Sequence, residues 1–166
     1  MNKHIILLNG PSSSGKSTLS RGLQAALAQT HGLRYAIVSI DDFLRMTTTD
    51  TIYEDDVFEA SLPLCESARE QLATHDGVII DHVITSPRIY EHLRDALAAH
   101  PLHTVRVTCP VEILRQREQA RGNRCIGSAE ASNQYLYPQD GYETTVDTHE
   151  MTAEDCFAAI CARLTD

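Results

Sequence analysis

Eight consecutive residues near the start of the chain have the types and spacing needed to hold a chain of phosphates. The pattern G-x-x-x-x-G-K-[ST] is matched at every fixed position by Gly10-Pro11-Ser12-Ser13-Ser14-Gly15-Lys16-Ser17. The glycines permit close backbone approaches, so that successive N–H groups can point at one anion. Lys16 is placed to reach the β- and γ-phosphates, and the Ser17 hydroxyl is placed to ligate Mg²⁺. The pattern therefore predicts a nucleotide site.

The stretches on either side of this loop are the ones that a phosphate site requires. The run His4–Asn9 before it is typical of a buried strand, and the run Ser17–Leu27 after it has Leu19, Leu23 and Leu27 on one helical face. A helix that begins at the loop adds the positive end of its dipole to the backbone amides. The alternative, a Gly- and Ser-rich turn that matches by chance, does not explain this context.

Two carboxylates at predicted strand ends are candidates for chemistry. Asp81 follows an apolar run, and in phosphate-loop proteins an acid at this place holds Mg²⁺ beside the loop serine. Asp41 follows the run Tyr35–Ile40 and is the predicted general base that takes a proton from an acceptor hydroxyl. Asp42 could assist, bind the metal through water, or do neither. The alternative for each acid is a role in a turn.

Four arginines within ten residues form a second cationic group. They are Arg115, Arg117, Arg121 and Arg124. Arginines on a closing segment can neutralise the charge of a phosphoryl group in transfer, and a guanidinium can stack on adenine. We therefore predict catalytic roles for Arg121 and Arg124 and nucleotide binding by Arg117. The alternative is a solvated basic helix face.

The order of apolar runs and helical patterns predicts the fold. Strands alternate with helices, which indicates a parallel sheet covered by helices on both faces. Ligands of such folds lie beyond the carboxyl ends of the strands, where Gly10, Asp41, Asp81 and Asp147 are all expected. Predicted helices include 56–74 with a kink or interruption at Pro63, a helix from Ser86-Pro87 to about His100, and a helix from Pro110 to about Arg121.

Composition narrows the classes of partner. The net charge of −9 argues against a nucleic-acid surface, and no apolar stretch is long enough for a membrane span. The chain enters its first strand at once, so we expect no signal peptide and a cytoplasmic location. Its five cysteines lack metal-ligand spacing. The length of 166 residues suggests a single domain over 1–166.

Several stretches together resemble the chloramphenicol phosphotransferase-like family of small P-loop kinases. The resemblance covers nearly the full length of the chain. It is carried by Ile6–Ser17, Ile40-Asp41, Ile79–Val83, Arg117–Arg124 with Gly127, and Gly141–Glu143 with Val146–Thr148. The chain departs from the family at Asp81-His82, where an acid pair is usual, and near Tyr137, where a histidine is expected. The segments Phe43–Phe58 and Val83–Tyr90, which choose the acceptor, do not clearly match.

This resemblance implies ATP- and Mg²⁺-dependent phosphorylation of a hydroxyl on a small molecule. It implies a three-layer α/β fold with a five-stranded parallel sheet, a central phosphate-loop strand and an arginine-bearing lid at about 121–138. It assigns the base to Asp41 and the lid arginines to Arg117, Arg121 and Arg124. We add Thr18 and Thr148 to the predicted nucleotide-binding residues. A homo-oligomer is compatible with the family.

Three functions stay open at this stage. The first is a small-molecule kinase whose acceptor is chloramphenicol, a related antibiotic or a metabolite. The second is a nucleoside or nucleotide kinase on the same scaffold, which would need a cationic site for the phosphate of the acceptor. The third is a nucleotide-binding regulator without transfer activity. The third is disfavoured by the combination of Asp41, Asp81 and the arginines, and no guanine-specific Asn-Lys-x-Asp motif is present.

Overall fold

Five parallel strands form the centre of the protein, described by a computed structural model for residues 2–44 and 52–164. The strands are β1 (His4–Asn9), β2 (Tyr35–Ser39), β3 (Gly77–His82), β4 (Leu102–Thr108) and β5 (Thr144–Asp147). Their order in the sheet is β2-β3-β1-β4-β5, and every neighbouring pair is parallel. The phosphate-loop strand β1 is thus central. The predicted α/β fold with a five-stranded parallel sheet is confirmed.

Helices connect the strands and cover both faces of the sheet. Within the described residues they are α1 (Lys16–His31), α2 (Glu54–Thr74), α3 (Pro87–Ala96), α4 (Val111–Arg121), α5 (Ser128–Gln134) and α6 (Ala153–Cys161), with a 3-10 turn at Ile40–Asp42. In this part of the chain no helix combines the length and the apolar character that crossing a membrane requires.

The core consists of two apolar layers, one on each face of the sheet. Along β1, Ile5 and Leu7 pack in one layer with α2 and α3, whereas Ile6 and Leu8 pack in the other with α1 and α6. All four side chains are completely buried. This alternation follows from the period of two in a strand, and it explains why a strand buried on both faces is continuously apolar.

Two helices differ from the prediction made from sequence. Helix α2 continues through Pro63, which lies on its exposed side, and is not interrupted there. Its buried stripe, which includes Leu64 and Ala68, offsets the hydrogen bond that a proline removes. Helix α3 ends at Ala96, four residues before the expected end. After Ala96 the chain continues in turns, in which Ala98 donates to the carbonyl oxygen of Asp95 and His100 donates to that of Leu97.

Helix α5 was not predicted. It lies inside the polar stretch 122–138, in which no helical periodicity is visible in the sequence. Only Ala129 of its seven residues is buried, so its apolar face is too small to produce a pattern. Helix α5 is instead held in place by hydrogen bonds to α4 and to the phosphate loop.

Candidate active site

The phosphate loop connects the end of β1 to the start of α1, with geometry that depends on its glycines. A Cβ atom on Gly10 would lie 2.5 Å from the carbonyl oxygen of Val107 on β4. Gly15 has φ of 90° and caps α1 in the left-handed conformation, and Ser13 also has a positive φ, of 67°. Gly10 thus leaves no room for a side chain against β4, and the positive φ of Gly15 disfavours other residue types at that position.

Lys16 is folded against its own loop. Its Nζ donates to the carbonyl oxygen of Pro11 at 2.8 Å and to Oγ of Ser14 at 3.4 Å. Burial lowers the pKa of Lys16, while the nearby carboxylates of Asp81 and Asp41 act in the opposite direction. An ammonium held in this way by loop oxygens is available to exchange them for the oxygens of a phosphate chain.

One cavity of about 1160 Å³ unites most of the predicted site residues. From the loop and α1 it is lined by Ser12, Ser13, Gly15, Lys16, Ser17 and Thr18, and from elsewhere by Asp41, Asp81, Arg117, Arg121, Arg124 and Thr148. Gly10, Pro11 and Ser14 are not among the described lining residues. The structure thus brings together residues that are widely separated in the sequence.

A hydroxyl and a carboxylate meet at the predicted metal position. Ser17 Oγ donates to Asp81 Oδ2 at 2.9 Å, and Ser39 Oγ lies 3.4 Å from the same carboxylate oxygen. Asp81 is only 4% exposed. The two residues are adjacent because β3 lies beside β1, so that the end of β3 reaches the start of α1. Hard oxygen ligands in contact with each other fit a site for Mg²⁺ that is completed by phosphate and water.

Asp41 is positioned by the 3-10 turn that follows β2, which is the neighbour of β3 and thus lies on the same side of β1 as Asp81. Ser39 caps this turn by accepting from the Asp41 backbone N–H. The Asp41 side chain is half-buried and pairs with Arg124, Nη2 to Oδ2, at 2.9 Å. Asp42, the next residue, is exposed and is absent from the described lining of the cavity. Of these two neighbouring acids, only Asp41 is among the described residues that line the cavity. The sequence had left a role for Asp42 open.

The arginines separate into two groups. Arg117 donates to Oγ1 of Thr148 at 3.1 Å, and Thr148 in turn donates to the carbonyl oxygen of Ser14 in the phosphate loop. Arg121 also lines the cavity, and burial, followed by the charge of Arg124, lowers its pKa. Arg115 instead forms an exposed ion pair with Glu130 at 2.8 Å. Of the four, Arg115 therefore fits a structural role.

Glu118 has a structural role that the sequence analysis missed. This residue of α4 is 2% exposed, and its carboxylate accepts from the backbone N–H groups of Gly127 at 3.0 Å and Ala129 at 2.8 Å. It thereby fixes the start of α5 against α4. Glu118 lies within the arginine-rich stretch Arg117–Arg124 of the sequence. Its hydrogen-bond partners are backbone N–H groups at the start of α5, and no sequence pattern identifies partners of this kind.

Asn9 was also missed, because it lies at the end of an apolar strand and was interpreted as part of it. Its side chain is completely buried. Its Nδ2 donates to the carbonyl oxygen of Tyr137 and to the hydroxyl of Tyr142, each at 2.9 Å, and its Oδ1 accepts from the backbone of Ile84 at 2.9 Å. A polar residue immediately before a phosphate loop is the one signal that could have identified it.

Two further polar residues at strand ends face away from the cavity. Oδ1 of Asp147 accepts from the backbone N–H groups of His149 and Glu150. Asp147 was expected at the phosphate site, but its carboxylate instead stabilises a turn. His82 is completely buried and lies 3.3 Å from the hydroxyl of Ser61. Burial lowers the pKa of His82 to about 3, so it stays neutral in the core.

The remaining part of the cavity has a mostly apolar wall, in which Glu54 is the one acidic side chain among the residues named next. Its described lining includes Leu44, Ile52, Glu54, Val57, Val83, Thr85 and Tyr135. Of the segments expected to choose the acceptor, Phe43, Tyr53 and Arg88 are not among the described lining residues. Residues 45–51 of these segments lie outside the described residues. Arg88 instead pairs with Glu54 and Asp55.

Several solved structures share this fold at low sequence identity. The APS kinase of Mycobacterium tuberculosis, in complex with AMPPNP and APS, has a TM-score of 0.76 at 11% identity, over 99% of both chains. A gluconokinase from Sinorhizobium meliloti has a TM-score of 0.72 at 19% identity, over 98% of this chain and 93% of that one. The tunicamycin resistance protein of Deinococcus radiodurans gives 0.62 at 16%, over 98% and 95%. These likenesses establish a P-loop kinase fold.

The family follows from the sequence itself. A comparison with curated proteins found no match. The family model described as chloramphenicol phosphotransferase-like protein, however, matches residues 3–165. The chain therefore belongs to the chloramphenicol phosphotransferase-like family and is a phosphotransferase with the P-loop kinase fold.

Proposed function

We propose that the protein transfers the γ-phosphoryl group of ATP to a hydroxyl of a small molecule. The observation that carries this proposal is the position of Asp41. Its carboxylate lines the same cavity as the phosphate loop and contacts Arg124 directly. A protein that only bound a nucleotide would not require Asp41 in this cavity in addition to Asp81, the acid beside Ser17.

The donor half of the site would be formed by the loop Gly10–Ser17 with Thr18. Its backbone amides and Lys16 would hold the phosphates, at the positive end of the α1 dipole. Ser13 supports this role, because its Oγ is buried without a hydrogen-bond partner in the described structure. Arg117 and Thr148, which are joined to each other and to Ser14, would lie beside the nucleotide.

Mg²⁺ fits the contact between Ser17 and Asp81. The described residues contain no group of three or more His, Cys, Asp or Glu side chains that could hold an ion. A hydroxyl, one carboxylate and phosphate oxygens are instead the usual set for nucleotide-bound Mg²⁺. The ion would neutralise charge on the β- and γ-phosphates.

Asp41 would accept the acceptor proton during transfer. The oxygen of the alcohol forms a bond to the γ-phosphorus as the bond from that phosphorus to ADP breaks, and the alcohol proton passes to the Asp41 carboxylate. Arg121 and Arg124 would stabilise the negative charge on the transferred group. The products are a phosphate ester and ADP.

The wall of the acceptor half favours an uncharged acceptor such as chloramphenicol, a related antibiotic or a metabolite. The described cations that line the cavity, Lys16, Arg117, Arg121 and Arg124, all belong to the phosphate loop, α4 or the segment after it. A nucleotide acceptor would need a further cation for its own phosphate. Because structures with this fold include a gluconokinase and a tunicamycin resistance protein, the fold alone does not select the acceptor.

The decisive experiment is a panel of acceptors with ATP and Mg²⁺, read by the mass of the product. The panel should contain chloramphenicol, aminoglycosides, macrolides, sugars, nucleosides and nucleotides. We expect one class to gain a phosphate in the wild type but not in Lys16→Ala. Lys3→Ala is the matched control, since Lys3 is the other lysine of the chain, donates a hydrogen bond to the carbonyl oxygen of Leu72 in α2, and is not among the described lining residues of the cavity. ATP binding without any phosphorylated product would favour the regulator.

A further inference from the structure

One hydrogen bond joins α5 to the phosphate loop. The backbone N–H of Ser12 donates to Oγ of Ser132 at 3.0 Å, although the two residues are 120 positions apart. The Ser132 hydroxyl in turn donates to the carbonyl oxygen of Ala129 at 3.0 Å. Both serines line the cavity. The hydroxyl thus has a donor and an acceptor, and its orientation is defined.

The same helix is fixed to α4 on its other side. The buried carboxylate of Glu118 accepts from Gly127 and Ala129 at the start of α5, and Arg115 pairs with Glu130. Helix α5 therefore has defined contacts with both α4 and the phosphate loop. The connection 122–127, which carries Arg124 and follows Arg121 at the end of α4, lies between these attachments.

From this arrangement we infer that Ser132 is a positioning residue for phosphoryl transfer. By holding α5 on Ser12, it sets the distance between the phosphate loop and the connection that carries the arginines. Ser132 acts through Arg121 and Arg124, which approach the transferred group, and not by contact with that group. The kinetic part of this inference rests on the transfer reaction proposed above.

This role differs from simple packing. A side chain that only filled space could be replaced by alanine at little cost, because serine and alanine differ by one hydroxyl oxygen. The bond between Ser12 and Ser132 is a neutral hydrogen bond, and its loss is expected to change an equilibrium roughly two- to tenfold. If the bond sets the arginine positions, that change falls on kcat and not on ATP binding.

The test compares Ser132→Ala and Ser132→Thr with the control Gln134→Ala. Gln134 belongs to the same helix, is exposed, and is not among the described lining residues of the cavity. We expect Ser132→Ala to lower kcat about two- to tenfold, with KM for ATP within about twofold of the wild type. Ser132→Thr keeps the hydroxyl and should retain the wild-type kcat, as should Gln134→Ala.

Hydrogen exchange tests the attachment without any acceptor. In the nucleotide-free protein, peptides that cover the phosphate loop and α5 should exchange faster in Ser132→Ala than in the wild type or Gln134→Ala. This exchange result does not require any alcohol to be phosphorylated, so failure of the proposed function can be told from failure of this inference. Wild-type exchange rates in Ser132→Ala, or an equal loss of kcat in Gln134→Ala, would overturn the inference.

Discussion

The guanidinium of Arg124 lies 2.9 Å from the carboxylate of Asp41 across 83 positions of sequence. The predicted general base is therefore already paired with the arginine that is predicted to stabilise the phosphoryl group. The Arg124 side chain is only 9% exposed, so the pair is partly shielded from solvent and from screening by salt. An acceptor alcohol must approach Asp41 beside this arginine, which would orient the carboxylate toward the reacting group.

Replacement of Asp41 by asparagine is expected to lower kcat about 10²- to 10⁴-fold, the usual contribution of a general base. The side chain keeps its size, so KM for ATP should change little. Steady-state rates with the acceptor found in the panel provide the measurement. Asp42→Asn removes an exposed neighbouring acid and should retain nearly the wild-type rate. Equal rates for the two variants would contradict the assignment of the base to Asp41.

Loss of the contact between Ser17 and Asp81 should change the dependence on Mg²⁺. Ser17→Ala and Asp81→Asn each remove one oxygen ligand, so we expect the Mg²⁺ concentration for half-maximal activity to rise by about tenfold or more. Ser20→Ala is the matched control in the same helix, because its hydroxyl donates to the Ser17 carbonyl oxygen and does not line the cavity. An unchanged Mg²⁺ dependence in both site variants would exclude this metal position.

Glu118→Gln should destabilise the protein. The carboxylate accepts from two backbone N–H groups, one on each oxygen, whereas the glutamine amide has a single oxygen and leaves one N–H group without its acceptor. A buried donor left without a partner costs about 1–3 kcal/mol. The free energy of unfolding, measured by urea denaturation, should fall by that amount. The exposed Glu112 of the same helix provides the control Glu112→Gln, for which a change within about 0.5 kcal/mol is expected. A cost in Glu118→Gln no larger than in the control would show that the carboxylate does not hold α5.

The buried His82 predicts a dependence of stability on pH. Its pKa is about 3 in the folded protein, whereas an unfolded histidine titrates near 6.5. Between these values the unfolded chain binds a proton that the folded chain does not, so the free energy of unfolding falls as the pH falls. His82 contributes a slope of about 1.4 kcal/mol for each pH unit below 6.5.

Comparison with His82→Gln isolates this contribution from that of the carboxylates. Urea denaturation at several pH values between 4 and 8 should show a shallower slope in the variant below pH 6.5, whatever its absolute stability. The exposed His31 offers His31→Gln as a control for the loss of a histidine in general. Identical slopes in wild type and His82→Gln would contradict this prediction, because they would mean that His82 binds its proton at the same pH in the folded and unfolded states.

The parts of the site that could be predicted are those whose information is local. The phosphate loop brings its functional groups together within eight residues, and the strand before it and the helix after it have clear periodicity. Asp41 and Asp81 could be found because each follows an apolar strand. The same rule placed Asp147 in the site incorrectly, since the backbone amides of His149 and Glu150 bind that carboxylate. A local turn can use a carboxylate in the same way that a site does.

The parts that could not be predicted depend on contacts between distant segments. Helix α5 has one buried residue, Ala129, and is held by Glu118 and by the bond from Ser12 to Ser132. The role of Asn9 likewise depends on partners at Ile84, Tyr137 and Tyr142. Hydrogen bonds of this kind leave no periodic pattern in a single sequence, because one polar residue at each end is sufficient.

The three hydrogen bonds of Asn9 constrain how the acceptor preference of this protein can be changed. Asn9 directly precedes the phosphate loop and holds the backbone of Ile84, whose neighbours Val83 and Thr85 line the acceptor half of the cavity. A backbone shift in that wall would thus be transmitted to the donor loop. New acceptors are more readily accommodated by exchanging the Val83 and Thr85 side chains on an unchanged main chain, which leaves ATP handling intact while the pocket changes its shape.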